Sequence, residues 1–238
     1  MIMDAYKINY RIHASDVDPL RRLRPSRLFG FFQEAAIAHT VELGFGRDKT
    51  LDRGYLWILS LQEARIGRLP EYDDDIVLES FPGEIMHAFY PRHYRVSLAS
   101  GEPLLTASAL WLLMDSKKRA MTFPEKTGIM IPGGTPSWET FLPAPPKLPE
   151  GQESKSYSVP NSSLDINGHM NNARYLDLAE DLSPLPLLKK DLKLIRAEYS
   201  GEARGGEQIL LKYDLSDTEI RLSGSAEKRL FRLAMLYD

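Results

Sequence analysis

A proline-rich run, Ile131 to Gly151 (IPGGTPSWETFLPAPPKLPEG), divides the 238-residue chain into two stretches that follow the same order of patterns. Pro132, Pro136, Pro143, Pro145, Pro146 and Pro149 can continue neither a helix nor a central strand, because the proline ring removes an amide donor. The run therefore reads as a semi-rigid extended linker and a domain boundary. Before it, strand-like alternation over Tyr6–Ile12 leads into the break Asp16-Val17-Asp18-Pro19. A helix predicted from Pro25-Ser26 to Leu43 follows, stopped by Gly44 and Gly46. It is apolar over a wide arc that includes Phe31 and Ile37, which predicts burial on nearly all sides. Strands are expected over Tyr55–Ile66, Ile76–Phe81, Phe89–Leu98, Leu104–Met114 and Arg119–Phe123, separated by Gly- and Pro-bearing turns. After the linker come a strand over Ser154–Val159, a polar turn and a helix from Met170 to Leu182. Strands over Leu192–Tyr199, Gln208–Leu215, Glu219–Ser223 and Arg229–Tyr237 complete the second stretch. Short connections between consecutive strands imply antiparallel pairing, so each half predicts an α+β unit in which a sheet curls around one helix.

This order points to a distant internal duplication. Asp16-Val17-Asp18 stands in the place of Asp165-Ile166-Asn167, and Gln33-Glu34-Ala35 resembles Leu178-Ala179-Glu180. In that alignment the first copy has Pro19-Leu20-Arg21 where the second has Gly168-His169-Met170. Only the second copy keeps a full polar set.

Composition removes several classes of function. A net charge of -3 argues against a general nucleic-acid binder, which carries a basic excess. The absence of cysteine excludes disulfides, thiolate metal sites and a cysteine nucleophile. The first residues, Met1 to Lys7, resemble neither a signal nor a transit peptide, and no apolar run approaches a membrane span. A cytoplasmic location is the expectation. There is no G-x-S-x-G elbow, P-loop or G-x-G-x-x-G, and His13, His39, His87, His93 and His169 show no ligand spacing. No metal or other cofactor is expected. His39, on the apolar helix, reads as a hydrogen-bonded core histidine.

The stretch Ser163-Leu164-Asp165-Ile166-Asn167-Gly168-His169-Met170-Asn171-Asn172-Ala173-Arg174-Tyr175 is the place where chemistry concentrates. Turn and cap duties account for Asp165, Asn167 and Asn171 individually, because short polar side chains bond to nearby backbone. They leave unexplained why the one histidine of the second half lies in this turn. A hydrolase without a serine or cysteine nucleophile must activate water, which requires a base, a group that orients it and donors for the oxyanion. Asp165, Asn167 and His169 bring acid, amide and imidazole to one loop. The start of the following helix, at Met170 and Asn171, is expected to add free backbone amides.

These residues carry a resemblance. Asp165-Ile166-Asn167-Gly168-His169-Met170-Asn171-Asn172 followed by Tyr175 resembles the D-x-N-x-H-V-N-N-x-x-Y signature of the acyl-acyl-carrier-protein (acyl-ACP) thioesterases. Glu198-Tyr199-Ser200-Gly201-Glu202-Ala203 resembles the family's E-Y-x-x-E-C strand. Leu56-Trp57-Ile58, Arg68-Leu69-Pro70 before Asp74-Asp75-Ile76-Val77, and Ala107-Ser108-Ala109-Leu110-Trp111 extend the likeness into the first half. The resemblance implies a tandem hot-dog fold: an N-terminal hot dog over 1–130 holding the acyl chain, a linker over 131–152, and a C-terminal hot dog over 153–238 carrying the catalytic residues. It implies hydrolysis of a fatty acyl thioester on acyl carrier protein, releasing free fatty acid. It marks Asp165, Asn167, His169 and Glu202 as catalytic. Met170 replaces the usual Val. Ala203 stands where plant members carry a cysteine, which favours base-activated water here. Glu202, if buried beside other acids, is the expected base, with His169 and Asn167 at the thioester carbonyl and Asp165 orienting them; exchanged roles for Glu202 and His169 stay open.

Phe29, Phe32, Trp57 and Leu59 are expected to line the acyl slot, with Asn171 also touching substrate. The segment Arg21-Arg22-Leu23-Arg24-Pro25-Ser26-Arg27 is the most basic in the chain, and it offers either a docking face for the acidic carrier or a solvated turn. Three alternatives are retained. An acyl-CoA thioesterase on the same fold would want a nucleotide cradle, and none is visible. A hot-dog hydratase would resemble D-x-N-P-x-H, which Asp165 to His169 does not match. The third is a non-catalytic acyl-binding module. Both monomer and homodimer fit a chain that already contains a paired fold.

Overall fold

The computed structural model describes residues 5–138, 144–148 and 153–238. Pro143, Pro149 and Gly151 of the linker, and Met1 to Asp4, lie outside them. In chain order the elements of the first half are β1 (Tyr6–Arg11), α1 (Pro25–Glu42), β2 (Tyr55–Ile66), β3 (Asp75–Pro82), β4 (Phe89–Leu98), β5 (Pro103–Asp115), β6 (Ala120–Thr122) and α2 (Pro124–Thr127). The second half contributes β7 (Glu153–Ser158), α3 (Tyr175–Leu182), α4 (Leu185–Leu188), β8 (Leu192–Tyr199), β9 (Gln208–Leu215), β10 (Glu219–Ser225) and β11 (Arg229–Tyr237).

All the strands join one antiparallel sheet in the order β1-β3-β4-β5-β2-β8-β11-β10-β9-β7, with the short β6 paired to β5. The order within the first half, first-third-fourth-fifth-second strand, recurs in the second. The halves meet where β2 pairs with β8, from Leu61 opposite Glu198 to Arg65 opposite Leu194. Each half is therefore a sheet closed over its own helix, and the two sheets fuse along one seam. This is the tandem hot-dog arrangement.

The alternating pattern of the strands fixes which side faces the helices. Ile76, Leu78, Tyr94, Val96, Ala107, Ala109 and Ala64 point inward and are buried, and α1 lays Leu28, Phe29, Phe32, Ala35 and Ala36 on them. Phe32 stacks on Tyr94 with ring centroids 4.5 Å apart. Burial of each of the larger aliphatic and phenylalanine side chains among them contributes about 1.5–3 kcal/mol. The expectation that α1 is buried all round is corrected: Ile37 and Val41 are 50% and 57% exposed. The sheet covers one side of the helix, and these two residues lie on the other.

The second helix also differs from expectation. α3 begins at Tyr175, not Met170, after one 3-10 turn over Asn172–Arg174. The Met170 and Asn171 amides donate to the carbonyls of Ala203 at 2.8 Å and Ser163 at 2.9 Å, which holds the chain extended there.

The linker residues that are described run back over the first half. The Gly134 N–H donates to the Pro82 carbonyl at 3.1 Å, and the Trp138 ring meets Phe81 edge-on with centroids 5.2 Å apart. A Cβ at Gly133 would sit 1.9 Å from the Gly83 carbonyl oxygen, so only glycine permits this approach. None of the described helices is long and apolar enough to cross a membrane.

Candidate active site

The polar turn is built by its first acid. The Asp165 carboxylate accepts the N–H of Asn167 at 2.8 Å and that of His169 at 3.2 Å. Its own N–H donates to the His169 carbonyl at 2.8 Å. Gly168 sits at φ +76°, a conformation that costs glycine little. The loop is thereby closed, and bridges from Leu164 to Met170 and from His169 to Arg204 set it beside the 200–206 segment. The Met170 N–H on the Ala203 carbonyl locks this register and brings the neighbouring Glu202 to the imidazole. His169 Nε2 lies 3.7 Å from Glu202 Oε2.

The same hydrogen bonds recur in the first half, and they correct the alignment of the duplication. The Asp18 carboxylate accepts the N–H of Leu20 at 2.8 Å and of Arg22 at 2.9 Å, and the Asp18 N–H donates to the Arg22 carbonyl at 2.8 Å. Arg21, at φ +67°, matches Gly168. The Leu23 N–H donates to the Pro70 carbonyl at 2.7 Å, as Met170 does to Ala203. Asp18, not Asp16, is thus the counterpart of Asp165. Arg22 occupies the place of His169 and Leu69 that of Glu202, so the first copy holds neither the imidazole nor the carboxylate.

Of the residues predicted catalytic, Asp165, His169 and Glu202 are brought together, while Asn167 is exposed with its amide 3.5 Å from the Asp165 carboxylate. Asn171 is a helix cap whose side-chain oxygen accepts the Ala173 N–H at 2.9 Å. Amides at Met170 and Asn171 are not free for an oxyanion, because both are already bonded. Phe29, Phe32 and Leu59 lie in the main core. Trp57 instead joins a separate cluster with Tyr90, Leu113, Ile129 and Ile131. Tyr175 of the signature is a core residue. Its ring packs on Phe231 with centroids 4.4 Å apart, and burial pushes its hydroxyl up to about 12.

Two features escaped sequence reasoning. Glu202 is not buried among acids: its side chain is 34% exposed, and the Arg119 guanidinium donates to its Oε2 at 2.9 Å. Arg119 follows β5 in the first half, at φ +50°. The half whose own turn holds neither the imidazole nor the facing carboxylate thus reaches into the site of the other. The second feature is the fate of the basic segment. Arg22 is bonded to Asp18 and to the carbonyls of Leu188 and Lys190; Arg24 pairs with Glu180; Arg27 pairs at 2.7 Å with Asp16, which is fully buried. These arginines brace the turn and the second half, and they do not form a free docking face. Beside them, between the start of α1 and α3, a cleft of about 570 Å³ is lined by Arg24, Arg27, Asp177 and Glu180, a charged wall unlike an acyl slot.

The paired sheets, each closed over its own helix, with an acid–imidazole pair beside the second turn, define the class as tandem hot-dog proteins. The chain matches the Acyl-ACP thioesterase N-terminal domain over residues 3–125 and the Acyl-ACP thioesterase C-terminal domain over residues 147–230, and it belongs to the acyl-ACP thioesterase family. It is 25% identical over 96% of its length to an acyl-[acyl-carrier-protein] hydrolase of Cuphea viscosissima. It is 24% identical over 96% of its length to a palmitoyl-acyl carrier protein thioesterase of Cuphea hookeriana. It spans 59% of the length of each of these relatives. An acyl-ACP thioesterase from Bacteroides thetaiotaomicron shares the fold at a TM-score of 0.88 and 20% identity, covering 98% of both chains. The 12:0-ACP thioesterase from Umbellularia californica does so at 0.83 and 18% identity, covering 98% of this chain and 97% of its own.

Proposed function

We propose that this chain hydrolyses fatty acyl-ACP to free fatty acid and ACP, with water as the nucleophile. The observation that carries the reading is the His169–Glu202 approach, 3.7 Å, built by the motif turn against the segment that bears Glu202. The N-terminal half, over 1–130, is the half that holds the acyl chain, with Phe29, Phe32 and Leu59 on its walls, and 153–238 carries the reacting groups. A carboxylate already held by a guanidinium is better placed to balance charge than to receive a proton. His169 therefore takes the proton from water as its oxygen attacks the thioester carbon, and Glu202 faces the imidazolium that forms. The exposed Asn167 amide donates to the carbonyl oxygen as negative charge grows there. Collapse of the tetrahedral intermediate breaks the C–S bond, and the imidazolium returns the proton to the departing thiolate. Asp165 keeps the turn in register. A chain without cysteine fits a reducing cytoplasm, and the paired fold works as a monomer or within a homodimer.

The test is release of fatty acid from a panel of acyl-ACPs and matching acyl-CoAs. His169→Ala is expected to lose on the order of 10³-fold in kcat and Glu202→Gln about 10–100-fold. Preference for CoA thioesters would move the substrate to the acyl-CoA class. Folded protein that binds acyl chains without hydrolysing either thioester would leave a binding module.

A further inference from the structure

The loop between β5 and β6 carries Lys117, Lys118 and Arg119 in succession. Its tip is held by Asp115, whose carboxylate accepts the N–H of Lys117 at 3.0 Å and of Lys118 at 2.9 Å. Arg119 reaches Glu202 and fixes the tip beside the His169–Glu202 pair. Lys118 is 80% exposed, with its nearest carboxylate 3.9 Å away, and the exposed Lys117 forms no ion pair with any described residue. The other side of Glu202 is also cationic. Arg204, exposed, is two residues on, and Arg229, which pairs with Glu198 at 3.5 Å, donates to Ser200, two residues back. Apolar groups stand among these charges. Met121, two residues beyond Arg119, is 50% exposed, and Ile166, in the turn that bears His169, is wholly exposed. Basic and apolar groups exposed around a site, on a chain of net charge -3, form a local surface that its composition hides.

We propose that this rim, the loop Lys117-Lys118-Arg119 with Arg204 and Met121, is the docking surface for an acidic acyl carrier protein, Lys117, Lys118 and Arg204 supplying its charge. The assignment rests on the acyl-ACP reading above. It replaces the segment 21–27, whose Arg22, Arg24 and Arg27 are spent on internal partners. Charge complementarity selects the carrier: opposite surface potential speeds encounter and orients the thioester arm toward the His169–Glu202 pair that the rim flanks.

The test compares wild type with the double variant Lys117→Glu/Lys118→Glu, with Arg21→Glu as the control on the older segment. Affinity for the holo carrier is measured by titration calorimetry, and turnover is measured on acyl-ACP and on the acyl-N-acetylcysteamine thioester, which has no carrier to dock. The double variant is expected to bind carrier about tenfold more weakly and to raise KM for acyl-ACP by a similar factor. Its kcat on acyl-ACP and its activity on the small thioester stay within about twofold, and Arg21→Glu matches wild type. In wild type, added salt weakens carrier binding. Unchanged carrier affinity in the double variant, or equal losses on both thioesters, overturns the docking surface. Carrier binding that depends on Lys117 and Lys118 without hydrolysis by wild type would overturn the thioesterase reading and leave the surface standing.

Discussion

Arg119 shows how one residue escapes a motif. It lies 83 positions from Glu202 in sequence and belongs to the other half, yet their side chains meet at 2.9 Å. Only the fold could reveal that pair. Arg119→Ala is expected to lower kcat on acyl-ACP about tenfold, and Arg119→Lys to restore part of it. A cation without the planar fork still neutralises the carboxylate but fixes it less well. Steady-state kinetics of the two variants decide this. His39 was legible. As expected of a core histidine, it is buried, and its Nδ1 faces the Arg92 guanidinium at 2.9 Å. Guanidinium only donates, so Nδ1 accepts and the ring is neutral. Burial, and then the charge of Arg92, pull its pKa down to about 4; His93, buried with its Nδ1 2.9 Å from Ser108 Oγ, is likewise pulled to about 4. The unfolded chain binds these protons below about pH 6.5 while the folded one refuses them, so stability is complete above that pH and falls as pH drops toward 4. Thermal melts are expected to shift down by several degrees between pH 7 and pH 5, and the shift shrinks in His39→Gln.

Among elements, strands were the most readable, because alternation reports the sheet faces directly. β2, β4, β8, β9 and β11 begin and end where the pattern predicts. The turns were harder. Residue identity between the copies is sparse, and the spacing of acids in the sequence pairs Asp16 with Asp165. Backbone hydrogen bonds pair Asp18 with it instead, and they give Asp16 a separate task. Asp16 is fully buried, accepting from the His13 N–H, Arg27 and Tyr10. The two matched turns separate structure from chemistry. Asp18→Ala is expected to cost about 1–2 kcal/mol of stability with kcat unchanged, because the first turn holds no reacting group. Asp165→Ala costs a similar amount of stability and also most of kcat. Chemical denaturation paired with turnover measures both. On α1, whose inner face packs Phe32 against Tyr94, Phe32→Ala is expected to cost about 3–5 kcal/mol, read as a lower denaturation midpoint.

At the scale of the whole molecule, the β2–β8 seam makes two sheets one. Charged side chains reinforce it: Arg196 donates to the buried Glu63 at 2.7 Å, Arg22 reaches the carbonyls of Leu188 and Lys190, and Arg24 meets Glu180. Breaking the seam would expose a long strand edge on each half. The chain is therefore expected to unfold as one unit. Trp57, Trp111 and Trp138 all report from the first half, so their fluorescence and the far-ultraviolet circular dichroism of the whole chain should give coincident denaturation curves. Two separate transitions would show that the seam is weaker than its contacts imply.

The matched turns carry a consequence for how such a chain can change. In a symmetric dimer of single hot dogs every substitution appears twice, so an alteration that helps one turn is imposed on the other. Here the copies are covalently joined but separately encoded. Arg22 could become a brace where the other copy keeps an imidazole, and Leu69 could replace a carboxylate, without cost to the surviving centre. On the proposed hydrolysis the stoichiometry follows: one acyl group turned over per polypeptide, at a centre whose twin has been retired to masonry.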